Sequence, residues 1–225
     1  MKKTFKNAIF EYEIEDEDLI LDLNNYIDEH VDEIYNFFGN DIEREIPYIR
    51  IIRTKEELDK LYRKYEGLDD NEPIPKWLIG FTNDDGIFYL SINDYKSTSH
   101  AFKKEDYDEN LEYLKKTIIH EYIHFVNILF CNKYNCYYTI KYLSEGVAQV
   151  LSKQNEKEKL EFVYSLDDIL NGSNCYNGWY LVFKYIINNY SHEFILELFK
   201  DYFNAQEFIT DIYDDIKNYY KEKSR

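Results

Sequence analysis

The chain has 225 residues, enough for one domain with its own core and too many to need a disulfide or metal staple. Its 44 acidic and 27 basic residues leave a formal net charge of −17; such a surface repels phosphate backbones and anionic lipid heads, so neither nucleic acid nor membrane is an expected partner. The 24 Tyr and 15 Phe supply apolar area for a core, and no stretch approaches the roughly eighteen uninterrupted apolar residues of a membrane span.

In chain order, the opening MKKTFKNAIFEYEIEDED returns to charge before any apolar run of signal-peptide length, so export is not expected. FKNAIFEYEIE alternates in places like a strand. EDEDLILDLNNYIDEHVDEIYNFFG then places Leu19, Leu23, Ile27, Val31, Ile34 and Phe38 at helical spacing, with Gly39 as the stop. His30 lies in that helix without a partner at ligand spacing and reads as a surface or packing residue. IPYIRIIR is a strand, and TKEELDKLYRKYEG is a helix whose Thr54 and Glu57 form a capping-box signature. WLIGF and GIFYLSIND are two further strands, with Asp85-Gly86 as a hairpin signal between them. An extended peptide could add to the edge of GIFYLSIND.

From about residue 105 the texture turns to consecutive helices: DENLEYLKKTIIHEYIHFVNILF, YLSEGVAQVLSK, NGWYLVFKYIINNY, HEFILELFKDYF and an acidic, Tyr-rich tail, with no Pro after Pro75. The fold class expected is α+β, a single domain over residues 1–225, with a small α/β lobe over about 1–100 and a mainly helical lobe over about 101–225. Three cysteines, Cys131, Cys136 and Cys175, are an odd number and too few for a disulfide scaffold. They suit a reducing, cytoplasmic compartment and read as structural thiols, since Cys131 and Cys136 lack the second Cys/His pair of a metal knuckle.

The segment HEYIH carries the chemistry. On a helix His120 and His124 lie about 40° apart, one turn from each other, so both imidazoles can face one ion. Leu111, Leu114, Ile118, Phe125 and Leu129 gather on the opposite side, and Ile119, Ile123, Val126 and Phe130 widen that apolar arc to about half the circumference. The histidine edge falls outside the arc and is expected to line a cleft. A catalytic zinc takes three protein ligands and keeps one position for water. YLSEGVAQV offers the third in Glu145, twenty-one residues after His124, with Gly146 and Ala148 small enough for a close approach to the histidine helix.

HEYIH followed by SEGVA resembles the gluzincin metallopeptidases, in which two histidines on one helix and a glutamate on the next bind zinc. The preceding strand–helix–strand pattern, IPYIRIIR, TKEELDKLY and GIFYLSIND, is similar to the small peptidases of that clan, which implies a zincin-like fold. The helix opening at Tyr176 is similar to the segment by which many gluzincins bring a tyrosine to the active site. Asn127 and Phe130 stand where the metzincin variant needs Gly and His, so that branch is excluded. Gln149 replaces the acidic residue that thermolysin-like enzymes hold one turn after the ligand glutamate, and the Gly-x-Met-Glu-Asn element of the aminopeptidases is absent.

The resemblance implies a zinc-dependent metallopeptidase acting on peptide or protein substrates. His120, His124 and Glu145 hold Zn²⁺, Glu121 is the general base, and Tyr176 is an oxyanion stabiliser; His100 and His192 are alternatives to Tyr176 without a supporting motif. A different class, a non-catalytic zinc-binding or regulatory protein on a zincin scaffold, accounts for the acidic surface equally well, but it has no chemical need for Glu121.

Overall fold

The computed structural model describes residues 1–97, 107–136, 140–172 and 175–223. It is an α+β protein with a small mixed sheet of five strands. The chain forms two compact units, Met1–Glu33 with Arg44–Phe125, and Ile34–Glu43 with Val126–Arg225.

The first unit holds the sheet: β1 (Lys2–Thr4), β2 (Ile9–Glu11), β3 (Tyr48–Ile52), β4 (Gly80–Asn83) and β5 (Gly86–Leu90). Their order is β1-β2-β3-β5-β4. The outer pairs are antiparallel, and β2, β3 and β5 run parallel. Because β5 is paired on both sides, every one of its residues is buried and it reads as a continuous apolar run. This corrects the expectation that a peptide could add to the edge of β5, since the end strand on that side is β4. The strand expected from Trp77 begins only at Gly80, because Leu78 is drawn into a turn by donating its N–H to the Pro75 carbonyl at 3.0 Å. Gly86 opens β5 at φ +129, where a Cβ would stand 2.2 Å from the Tyr48 carbonyl oxygen, so the hairpin demands glycine.

Helix α1 (Glu17–Phe38) stops before Gly39 as its pattern predicts. Helix α2 (Lys55–Glu66) is capped by the Thr54 hydroxyl, which accepts from the Glu57 N–H, and it ends at the left-handed Gly67. Tyr62 and Tyr65 of α2 pack against Phe81 and Phe88, which are themselves stacked at 4.8 Å. Alternation along β5 sends the next residue, Tyr89, to the other face, where its hydroxyl donates to the Leu114 carbonyl of helix α3 (Tyr107–Tyr134) at 3.1 Å.

The second unit contains α4 (Lys141–Leu151), α5 (Leu166–Asn171), α6 (Tyr176–Asn189), α7 (His192–Lys200) and α8 (Tyr202–Lys223). Phe37, Phe38, Phe130, Phe183 and Phe199 meet mostly edge to face in its core, a geometry that adds to their area burial. The segment HEFILELFKDYF, read as one helix, breaks at Asp201, which turns extended and caps α8 by accepting the Asn204 N–H at 3.1 Å. No helix among the described residues is long and apolar enough to cross a membrane.

Candidate metal centre

The middle of α3 differs from the expected half-buried helix. Every residue from 117 to 128 is buried, so the apolar arc extends into burial on all sides. Within this stretch Thr117, His120, Glu121, His124 and Asn127 follow the helical repeat and form a narrow polar stripe. The histidine edge is therefore enclosed rather than open, with His120 7%, Glu121 6% and His124 6% exposed. Buried polar groups need partners: Thr117 donates to the Tyr113 carbonyl, Glu121 accepts from Thr82, and the Asn127 amide oxygen accepts from the Cys131 thiol, while the Asn127 amide nitrogen makes no hydrogen bond among the described residues.

The Nε2 atoms of His120 and His124 lie 2.9 Å apart, with the ring planes at 78°. Two neutral imidazoles so placed hydrogen-bond only if one ring carries its proton on Nε2 and the other does not. Two ring nitrogens this close could also serve one cation. Glu145, half-buried on α4, completes the set: one ligand atom from each of His120, His124 and Glu145 lies within 4.8 Å of the others. A tetrahedral ion with bonds of about 2.0–2.1 Å holds its donors about 3.3 Å apart, a value between the 2.9 Å of the histidine pair and the 4.8 Å limit of the group, so the three side chains could hold a metal ion. Two imidazoles and one carboxylate are also the donor set of an open rather than a closed site. Among the described residues this is the only group of three or more His, Cys, Asp or Glu side chains so arranged.

Glu121 stands about 100° round the helix from His120 and is not part of the group. Its Oε2 accepts from the Thr82 hydroxyl at 2.7 Å, and the same hydroxyl lies 3.1 Å from the Glu121 carbonyl oxygen. Thr82 belongs to β4, the end strand of the sheet, and nothing in its local sequence marks it for this contact.

Gly146 does not serve the approach of α4 to α3 that its size suggests. A Cβ there would meet Phe183 Cβ at 2.6 Å and the Trp179 carbonyl oxygen at 2.9 Å, so its bare backbone lets α6 lie against α4. Gln149 is buried on the same helix. Its amide nitrogen donates to the Tyr176 carbonyl at 2.9 Å, and its amide oxygen accepts from Asn155 at 2.7 Å. The residue that departs from the acidic pattern thus joins α4 to the first residue of α6.

Tyr176 is half-buried there, with its ring in a T-shaped contact with Trp179 at 5.2 Å and its carbonyl accepting from Gln149. Cys175, just before it, is buried, and burial pushes its thiol up to about 11. His192 is placed elsewhere, with Nε2 2.6 Å from the Phe37 carbonyl oxygen and its ring on Phe37. His30 packs on Tyr26, its Nδ1 2.8 Å from the Tyr26 carbonyl oxygen. His100 lies outside the described residues. No protein-family model, curated protein or solved structure matches the chain.

Proposed function

We propose that the chain is a zinc-dependent metallopeptidase of the gluzincin type, with a zincin-like fold, that hydrolyses peptide bonds in peptide or protein substrates. The observation that supports it most is the meeting of two histidines from one helical turn with Glu145 of the next helix, beside a carboxylate that takes no part in the group. Imidazole and carboxylate donors with an open position suit Zn²⁺ among the divalent ions. Bound there, zinc supplies Lewis acidity toward water and a scissile carbonyl.

His120 and His124 present neutral nitrogens, and Glu145 contributes the charge that offsets the ion. Glu121 takes the proton of the attacking water and returns it to the leaving amine. The Thr82 hydroxyl holds Oε2 of Glu121, which fixes the carboxylate and leaves Oε1 for the water. Tyr176 donates its phenol to the developing oxyanion. An extended substrate pairs along β4, because that end strand carries the threonine that touches the general base. The strongly acidic chain works without nucleic acid or membrane, in the cytoplasm, a compartment that suits its three unbridged cysteines.

Digestion of an unstructured peptide library, read by mass spectrometry, tests the proposal. The wild type should cleave it, and Glu121→Gln should lose about 10²–10⁴ in rate while retaining its metal. Equal cleavage by both would remove Glu121 from the mechanism. A metal-loaded wild type that cleaves nothing would favour the non-catalytic metal-binding class.

A further inference from the structure

Helix α3 ends in a Schellman motif. Asn135 adopts φ 53, in the left-handed region, and the Cys136 N–H donates to the Cys131 carbonyl at 3.0 Å. In this motif the side chains of the third residue from the helix end and of the second residue past its cap come together, usually as an apolar contact. Here those residues are Cys131 and Cys136, so the motif sets their side chains next to one another, with the Cys131 thiol also donating to the Asn127 amide oxygen at 3.7 Å. Standard backbone dimensions cap the separation of their Cα atoms at about 7 Å given that backbone bond. A disulfide needs about 4.4–6.8 Å, so the turn already holds the pair near bonding reach.

The two sulfurs are not equivalent. Cys131 is buried, whereas Cys136 is half-buried and open to small reagents. The neighbouring Cys131 thiol and, to a lesser degree, the Lys200 ammonium hold the Cys136 thiol below its usual range, whereas Cys136 and burial push Cys131 up. Lys200 is kept at this end of the helix by the Tyr134 ring, 4.5 Å away, and by Glu197 at 2.7 Å. One accessible, activated thiol with a second thiol behind it is the arrangement of an attacking and a resolving cysteine.

We propose that Cys131 and Cys136 are a redox-active dithiol, a modification site that closes to an intramolecular disulfide by exchange with a small-molecule disulfide such as oxidised glutathione. The Cys136 thiolate attacks one sulfur of the reagent, forms a mixed disulfide and expels one glutathione thiolate. Cys131 then gives up its proton to solvent and attacks the Cys136 sulfur, expelling the second glutathione thiolate. Two electrons pass from the protein thiols to the reagent, which leaves as two reduced molecules. The proposal does not rest on the metallopeptidase reading.

The test treats the full chain with oxidised glutathione, blocks remaining thiols by alkylation under denaturing conditions, and maps the peptides by mass spectrometry. The expected product lacks two hydrogens between Cys131 and Cys136, while the buried Cys175 is recovered alkylated. Before oxidation, Cys136 should alkylate in the folded protein at least about tenfold faster than Cys131 or Cys175. Cys131→Ser should stop at a stable glutathione adduct on Cys136, and Cys136→Ser should leave Cys131 unmodified. Circular dichroism would verify that each variant is folded. A wild-type product that keeps a glutathione adduct on Cys136 with Cys131 free, or one in which all three thiols remain alkylatable, overturns the proposal.

Discussion

Helices α2 and α3 solve opposite problems with polar side chains. In α2 only Lys55 and Leu58 are buried, and the other charged residues are at least partly exposed, among them Lys60 and Glu56, which make an i,i+4 pair at 2.7 Å. That helix is held by its ends, through Thr54 and Gly67, and by one aromatic edge. In α3 the twelve residues 117–128 are all buried, so a polar group there must find a partner inside the protein. Thr117 donates to the Tyr113 carbonyl at 3.0 Å, Glu121 accepts from Thr82, and the two histidines face each other beside Glu145. Polar residues on an exposed helix are satisfied by water, whereas a polar stripe on an enclosed helix must be satisfied from within.

Substitutions in the two helices should differ accordingly. Ile123, fully buried in α3, should lose about 2–5 kcal/mol of stability on change to Ala, read by urea unfolding. A loss as small as that of a surface change would mean that this face of α3 is not enclosed. Thr82→Val keeps the shape of the β4 side chain but takes the hydroxyl from a buried carboxylate. It should lower stability by about 1–3 kcal/mol, and turnover should fall with it while metal content holds. In α2, Thr54→Ala removes the cap and should cost about 1 kcal/mol. Lys60→Ala breaks an exposed ion pair and should leave the unfolding midpoint unchanged within error.

Features set by near neighbours were legible in the sequence. The Thr54 cap, the Gly39 stop and the pairing of His120 with His124 depend on residues within a turn of each other. Glu145 was legible from its place on the next helix. Ser165 and Asp168 form a reciprocal capping box that starts α5, a local signal present in the sequence but absent from the expected elements. What was not legible depends on which strands and helices become neighbours. Thr82 meets Glu121 across thirty-nine positions because of where β4 lies, and the order β3-β5-β4 moves the sheet's end from β5 to β4. Gly146 turns to α6 for the same reason, since smallness marks a close approach without naming the partner.

The claim that the buried stripe of α3 is a metal centre with a separate general base is tested most directly by native mass spectrometry of protein purified without chelator. The account predicts one zinc per wild-type chain, the same occupancy in Glu121→Gln, and none in the His120→Ala, His124→Ala double change. Full metal occupancy in the double change would contradict it.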